Sequence, residues 1–226
     1  MELTHSGGKN ESGIYDATDP LDNDECSMRL GGGSNNNTRA QQAQARNRGM
    51  FWCRHTTRFR DCLDGLSGTI CMGEIATILG GREIISEFVL NGPDTISTIP
   101  SACDDQVDPA RPQFWLTSAN VGGGNQIRGG RWADGRIQYT AFHTIKPPNS
   151  LSCFRGGDAS QGISSASSRH QGGAHVLMGD GAVRFITESI EAGNQQMTPA
   201  HTGAQSTFGL WGALGTRASR ETAQLE

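Results

Sequence analysis

A hairpin centred on Asp180-Gly181 is the feature that most constrains how this chain can fold. Two short apolar runs, residues 174–178 and 183–186, flank the pair. An Asp-Gly pair accepts the positive φ angles that a tight two-residue hairpin loop requires. Period-two alternation on either side of such a loop indicates antiparallel strands. The segment therefore predicts a β-hairpin, with Asp180 acting as a turn residue.

The register of this hairpin follows from the length assigned to its loop. If only Asp180 and Gly181 form the loop, Val176 lies opposite Phe185, and Met178 lies opposite Val183. Residues two apart along a strand point to the same face of the sheet. The two pairs then form one apolar face that can cover a core.

The composition favours short strands joined by many turns over a helical bundle. Hydrophobic residues make up 35% of the chain and aromatic residues 6%, whereas there are 31 glycines. Asp64-Gly65 reads as a turn before a strand at residues 69–72, and residues 84–90 suit either a strand or a helix. Alternation of Ile137, Tyr139 and Ala141 predicts another strand. The expected fold is α+β, mainly antiparallel β, with little helix.

The N-terminal part of the chain differs from the rest in its amino-acid composition. Residues 1–37 are polar and rich in turn formers, which is typical of loop or partly disordered chain. Thr38 is a candidate cap for a short helix that runs to Arg48. We therefore expect a polar, loop-rich segment at 1–48 and a β-rich domain at 49–226.

Charge and hydropathy bound the partners of the chain. The net charge is −4 and the arginines are scattered, which argues against nucleic acid as a partner. No window approaches eighteen consecutive apolar residues, so we expect no membrane span. The first residues, MELTHSGGKNESG, contain no basic head followed by an apolar stretch, so no secretion signal is visible.

Five segments, in order along the chain, carry a resemblance to a known family. They are RDCLDGLSGTICMGE, RGGRWADG, KPPNSLSC, SASSRHQGGAHVLMGDGAVRFITESI and WGALGTRASRE. The fourth contains His170, then nine residues, then Asp180-Gly181. Together they resemble a bacterial family of pilin-like proteins, domain of unknown function 1559, which is described as similar to the major pseudopilin of type II secretion. The resemblance runs from about Gly49 to Glu221.

The resemblance implies a structural role more than a chemistry. Family members look like type IV pilin subunits, in which a prepilin leader and an apolar helix precede a globular antiparallel sheet. It implies a non-enzymatic protein of the cell envelope or exterior, with copies of itself, other pilin-like subunits or a secretion apparatus as partners. This chain shows neither leader nor apolar helix, so we expect a start site further upstream or a truncated relative. Its other departures from the motifs are Gly68, His143 and Arg220.

The resemblance also places cysteines at Cys103 and Cys153, and we predict a disulfide between them. Both lie in Pro-bounded loops, and disulfides persist outside the cytoplasm. The other four cysteines stay unassigned. Three of them recur every nine residues, a spacing that fits no zinc pattern. The unassigned cysteines are Cys26, Cys53, Cys62 and Cys71.

The histidines of the fourth segment admit a reactive interpretation, which we weigh against a structural one. His170, His175 and Asp180 have side chains that bind metals or move protons. In an extended strand, residues five apart point to opposite faces, although His170 precedes a Gly-Gly pair and could fold back. We therefore assign no catalytic, metal or cofactor residue and keep His170, Asp180 and Gly181 as the family motif.

Two groups of acidic residues have similar double interpretations. Asp64 and Glu74 read as an acid and base pair, or as a turn residue and the end of a strand. Asp104, Asp105 and Asp108 suit calcium, which major pseudopilins are known to bind as a class, or are simply solvated. We favour the second interpretation of each group and predict no cofactor.

Two alternative functions remain open. The first is a secreted carbohydrate- or ligand-binding module, which would use tryptophans exposed on one surface. Its candidates are Trp52, Trp115, Trp132 and Trp211. The second is a small metal-dependent hydrolase or metalloprotein built on His170 and Asp180. Convergence of their side chains would favour it.

Overall fold

The protein is described by a computed structural model. It covers residues 3–4, 48–52, 56–135, 137–157, 160, 162–198, 204–223 and 225, with the backbone alone at 3, 4, 52 and 97. The strands are β1 (Leu3–Thr4), β2 (Phe51–Trp52), β3 (Ile70–Gly73), β4 (Phe88–Val89), β5 (Ser152–Phe154), β6 (Gly162–Ile163), β7 (Gly173–Met178) and β8 (Val183–Thr187). The helices are α1 (Gly209–Leu214) and the 3₁₀ segments Phe59–Asp61, Leu66–Gly68, Asp94–Ser97 and Pro100–Gln106.

The strands form small sheets, mostly antiparallel. The order β3-β7-β8 gives an antiparallel sheet, and in the order β4-β5-β6 the first pair is parallel and the second antiparallel. β1 pairs with β2 in parallel. The expected α+β class, mainly β with little helix, is confirmed. No helix in the described ranges has the length and apolar character needed to cross a membrane.

The start of the chain contributes a strand where the sequence predicts loop. Leu3–Thr4 pairs with Phe51–Trp52, so part of the region predicted as loop belongs to a sheet. A two-residue strand carries too little periodicity to be recognised from sequence. The helix predicted from Thr38 lies outside the described residues except for Arg48.

The predicted hairpin is present, but its register is shifted by one residue from the prediction. His175 pairs with Phe185 and Leu177 with Val183, whereas Val176 lies opposite Arg184. The reason is a three-residue loop, 179–181, closed by a hydrogen bond from the Met178 amide to the Ala182 carbonyl. A type I turn followed by a left-handed glycine is the usual form of such a loop.

The shift changes which side chains face solvent. Alternate residues of β7, Ala174, Val176 and Met178, are buried in the core. On the opposite face, exposed Val183 and Phe185 lie beside Leu177 and His175. The apolar face predicted from a two-residue loop is therefore wrong, and an apolar pair of β8 lies on the outer face of the sheet.

Gly181 supplies the left-handed conformation of the loop, with φ of +91°. A Cβ at this position would meet nothing within 4 Å, so the conformation alone disfavours a side chain. We expect Gly181→Ala to lower the free energy of unfolding by about 1–2 kcal/mol. Gly123→Ala, also in open space but without a positive φ, should cost nothing. Urea unfolding measures both, and equal effects would contradict this explanation of the loop.

The segment around Tyr139 is buried as the alternation predicts, but it is not a strand. Ile137, Tyr139 and Ala141 are all buried in one cluster, next to Phe88 and Phe154. Residues 137–140 form turns instead. The Tyr139 carbonyl accepts a hydrogen bond from the Gly129 amide, and Thr140 Oγ1 donates to the Asp134 carbonyl. These partners lie in a neighbouring loop, so turns replace a strand ladder.

In residues 84–90, only Phe88–Val89 forms a strand.

Two further clusters contain most of the other buried apolar residues that the structure describes. One packs β7 and β8 against α1, where the Trp211 ring stacks on Phe142 with centroids 6.4 Å apart. The other contains the Cys103–Cys153 disulfide together with Trp115 and other apolar residues. Short elements are thus held together by side chains from distant loops.

The predicted turn at Asp64-Gly65 is present and also anchors the end of the chain. Gly65 has φ of +91°. The Asp64 carboxylate accepts hydrogen bonds from the backbone amides of Ser219, Arg220 and Glu221 at 2.7, 2.6 and 3.2 Å. Asp64 therefore joins the turn to a segment more than 150 residues away.

Candidate functional site

Glu74, His170 and His175 bring their side chains together at one edge of the β3-β7-β8 sheet. His170 Nε2 lies 3.4 Å from Glu74 Oε1, and His175 Nδ1 lies 3.3 Å from Glu74 Oε2. One potential ligand atom from each residue lies within 4.8 Å of the other two. This constellation is the candidate site, and we call it the His-His-Glu cluster.

Backbone hydrogen bonds fix Glu74 against β7. Glu74 follows β3, and its amide donates to the His175 carbonyl at 3.1 Å. The His175 amide donates to Glu74 Oε2 at 2.8 Å, and the Ser167 amide donates to the Glu74 carbonyl at 2.9 Å. The carboxylate is therefore held in place by a strand neighbour before either imidazole contacts it.

His170 reaches the cluster because a turn separates it from β7. The His170 amide donates to Ser168 Oγ at 3.0 Å, and Ser168 Oγ donates to the Gly173 carbonyl at 2.7 Å. Gly172 adopts φ of +82°. β7 begins only at Gly173, so the period-two rule does not relate His170 to His175. The fold-back left open by the sequence is what the structure shows.

His175 occupies its place because of the shifted hairpin register. It points to the outer face of the sheet, where the Phe185 ring packs on it with centroids 5.0 Å apart. The His170 ring meets it edge to face at 4.8 Å. The side chains of His170, His175 and Glu74 keep 56%, 38% and 37% of their surface exposed. Solvent and dissolved ions can therefore reach the cluster.

The electrostatics of the cluster favour an ionised carboxylate. Burial alone would raise the pKa of Glu74, but hydrogen bonds from the amide and ring of His175 and the charges of His175 and His170 outweigh it. The resulting pKa lies below its ordinary value. Glu74 is thus a persistent negative charge facing two imidazoles.

Two clefts meet at His170. The larger has a volume of about 660 Å³ and is lined by residues that include Glu83, Phe114 and Glu188. The smaller, of about 400 Å³, includes Glu74 itself. Arg169 lines both clefts and forms a 3.0 Å ion pair with Glu83. A small solute therefore has room beside the cluster.

Asp180 plays its predicted role in the hairpin turn. Its Oδ1 accepts a hydrogen bond from the Ala182 amide at 2.9 Å, which stabilises the loop. The cluster is completed by Glu74 instead. The sequence placed Glu74 at the end of a strand; Glu74 directly follows β3, and its partners were not predicted. A carboxylate directly after a strand that pairs with a His-bearing strand is the signal that could have found it.

Three of the other acidic candidates, Asp64, Asp104 and Asp108, have structural partners. Asp64 binds the closing segment and shares no cluster with Glu74. Asp104 forms a 2.7 Å ion pair with Lys146, and Asp108 binds Arg111 at 3.0 Å. Hydrogen bonds from the Ala110 amide and the Arg111 side chain hold the pKa of Asp108 below its ordinary value. Asp104 and Asp108 thus form ion pairs with two different basic side chains.

The three tryptophans whose side chains the structure describes do not form a shared exposed surface. Trp115 and Trp211 are buried, and their Nε1 atoms donate to the carbonyls of Glu87 and Lys146. Trp132 is 85% exposed. The side chain of Trp52 lies outside the described part of the chain. The carbohydrate-binding alternative required all four tryptophans on one exposed surface, and the burial of Trp115 and Trp211 contradicts that requirement.

The predicted disulfide between Cys103 and Cys153 is present, with Cα atoms 6.5 Å apart. Both cysteines are fully buried. Among the described residues, Cys62 and Cys71 are free thiols, and burial is the main cause that raises the pKa of each. Cys26 and Cys53 lie outside those residues.

Comparison with known proteins gives one family. A model described as "Protein of unknown function (DUF1559)" matches residues 3–193. This chain belongs to the DUF1559 family. The DUF1559 match includes Glu74, His170 and His175, begins well before Gly49, and ends before the closing segment quoted for the resemblance. Comparisons with curated proteins and with solved structures give no match.

Proposed function

We propose that this DUF1559 protein is a non-enzymatic, pilin-like or pseudopilin-like subunit of the cell envelope or exterior. Its partners are copies of itself, related subunits or a secretion apparatus of the type II or type IV pilus kind. Membership of the family and a β-rich domain with little helix are consistent with such a globular head. The proposal assigns no catalytic residue.

The observation that carries the proposal is the buried Cys103–Cys153 bridge. It connects two segments that are 50 residues apart in sequence, and it lies inside an apolar cluster. Disulfides of this kind persist in oxidising compartments and are rare in the cytosol of mesophiles. A structural bridge in the core therefore supports a location outside the cytoplasm.

The outer face of the β3-β7-β8 sheet supports a subunit role. Met72, Val183 and Phe185 are 52%, 65% and 44% exposed, although all three are large and apolar. Met72 pairs with Leu177, which in turn pairs with Val183, so part of this set is contiguous across the three strands. Contiguous exposed apolar residues often mark protein contacts. We call Met72, Val183 and Phe185 together the outer apolar face.

Self-association through the outer apolar face is the test. We expect the full chain to associate in a concentration-dependent manner in sedimentation velocity, and Val183→Lys to weaken that association at least tenfold by placing a charge in an apolar contact. Leu63→Lys is the matched control, because Leu63 is 71% exposed but lies outside the sheet. A chain that stays monomeric, or a Val183→Lys variant that associates like the Leu63→Lys control, would contradict this subunit contact.

A further inference from the structure

We propose that the His-His-Glu cluster is a zinc site in which His170 Nε2, His175 Nδ1 and the Glu74 carboxylate are the protein ligands. The inference is independent of the pilin-like role, since its three protein ligands all come from one chain. The bound ion is a divalent first-row transition metal ion, and Zn²⁺ is the probe used to test the site.

The spacing of the donor atoms suits a tetrahedral ion. With metal–ligand bonds of about 2.0–2.2 Å, two ligand atoms of a tetrahedral zinc site lie about 3.4 Å apart. The Glu74 oxygens are 3.4 Å from His170 Nε2 and 3.3 Å from His175 Nδ1. The whole group lies within 4.8 Å. Closing it around an ion requires side-chain rotations, which the 56% exposure of the His170 side chain permits.

The ligand types favour a first-row transition metal ion over calcium or magnesium. Calcium and magnesium take oxygen ligands almost exclusively, so two imidazole nitrogens disfavour them. Imidazole suits zinc, copper, nickel and iron, and two histidines with one glutamate form a known zinc-binding set. The Glu74 carboxylate supplies negative charge that offsets part of the charge of the ion.

The side chains of Glu74 and His175, and the backbone that carries His170, are positioned before any ion binds. The His175 amide holds Glu74 Oε2, an outer hydrogen bond of the kind that orients carboxylate ligands. The Phe185 ring packs against the imidazole of His175. Ser168 holds the turn that carries His170. Less conformational entropy is therefore lost on binding than at a cluster of free surface side chains.

The exposed side of the cluster leaves a coordination position open. Zinc sites with three protein ligands complete their shell with water or another oxygen or nitrogen donor. His170 borders both clefts, so such a donor can approach from either one. The fourth ligand is then a water molecule or a carboxylate from a small solute or a partner chain.

Zinc titration calorimetry of the full disulfide-bonded chain tests the site. We expect one ion per chain, and a loss of affinity of more than about tenfold in both Glu74→Gln and His170→Gln, since loss of even an outer-shell partner costs 10–100-fold. Asp180→Asn is the matched control, because Asp180 lies in the same segment but only supports the turn. It should bind zinc like the unaltered chain. No binding, or equal affinity in all variants, would overturn the proposal.

Cobalt spectroscopy of the unaltered chain identifies the ligand type without any variant. Co²⁺ bound at the cluster should give tetrahedral d–d bands without a thiolate charge-transfer band. A thiolate band would show that cysteines such as Cys62 or Cys71 hold the ion, and would overturn the assignment.

Circular dichroism establishes that His170→Gln is folded, which we expect because His170 lies in an exposed turn.

Discussion

The double variant Cys103→Ala/Cys153→Ala should unfold with a free energy about 4 kcal/mol lower than the unaltered chain. The bridge closes a loop of 50 residues, and its removal restores conformational entropy to the unfolded chain. Both cysteines are fully buried, so the variant also loses packing in the cluster around Trp115. A total stability of roughly 5–15 kcal/mol is usual for a domain, so the loss would remove a large share of it.

Urea unfolding of the oxidised chain, with and without reductant, measures this effect. Reductant should lower the stability of the unaltered chain toward that of the double variant and leave the variant itself unchanged. Cys71→Ala is the control, because Cys71 is a free and half-buried thiol whose loss should cost less than about 1 kcal/mol. Equal stability of the double variant and this control would contradict the structural role of the bridge.

Asp64→Ala should be the second strongly destabilising change, with a loss of about 3 kcal/mol. Its carboxylate accepts three backbone amides and the hydroxyl of Thr216, which lies at 3.2 Å. Hydrogen bonds to a charged acceptor contribute about 1.5–3 kcal/mol each, although such contributions are not additive. Arg220 adopts φ of +60°, a conformation that the bound carboxylate stabilises.

Asp61→Ala is the matched control for this variant. Asp61 accepts one backbone amide, from Arg58 at 2.8 Å, and lies only three residues before Asp64. We expect it to cost less than about 1 kcal/mol. Hydrogen exchange should also show that Asp64→Ala releases the amides of residues 219–221 first. Equal unfolding free energies in the two variants would contradict the anchoring role of Asp64.

Local patterns in the sequence predicted the elements whose causes are local. The Asp180-Gly181 pair predicted a turn because its conformational preference does not depend on the rest of the chain. The register was not predictable, because Gly179 joins the loop and moves every pair by one residue. Likewise, Ile137 and Tyr139 alternate because they are buried, and turns bury them as effectively as a strand.

The candidate site depends on contacts between distant segments, which explains why only part of it was predicted. The sequence identified His170 and His175 as candidate metal-binding or proton-transferring side chains. Their convergence required a turn stabilised by Ser168, which the sequence did not predict. Glu74 is about 100 residues away and joins the site through the pairing of β3 with β7. The disulfide was predicted because the family resemblance supplied its two cysteines.

Location outside the cytoplasm is the claim on which the proposed function most directly depends. It can be measured in the native host by fractionating cells that express the chromosomal gene, blocking free thiols at lysis, and analysing an unreduced digest by mass spectrometry. The proposed function predicts a Cys103–Cys153 linked peptide in the envelope or extracellular fraction. Blocked, unlinked Cys103 and Cys153 recovered from the cytoplasmic fraction would contradict it.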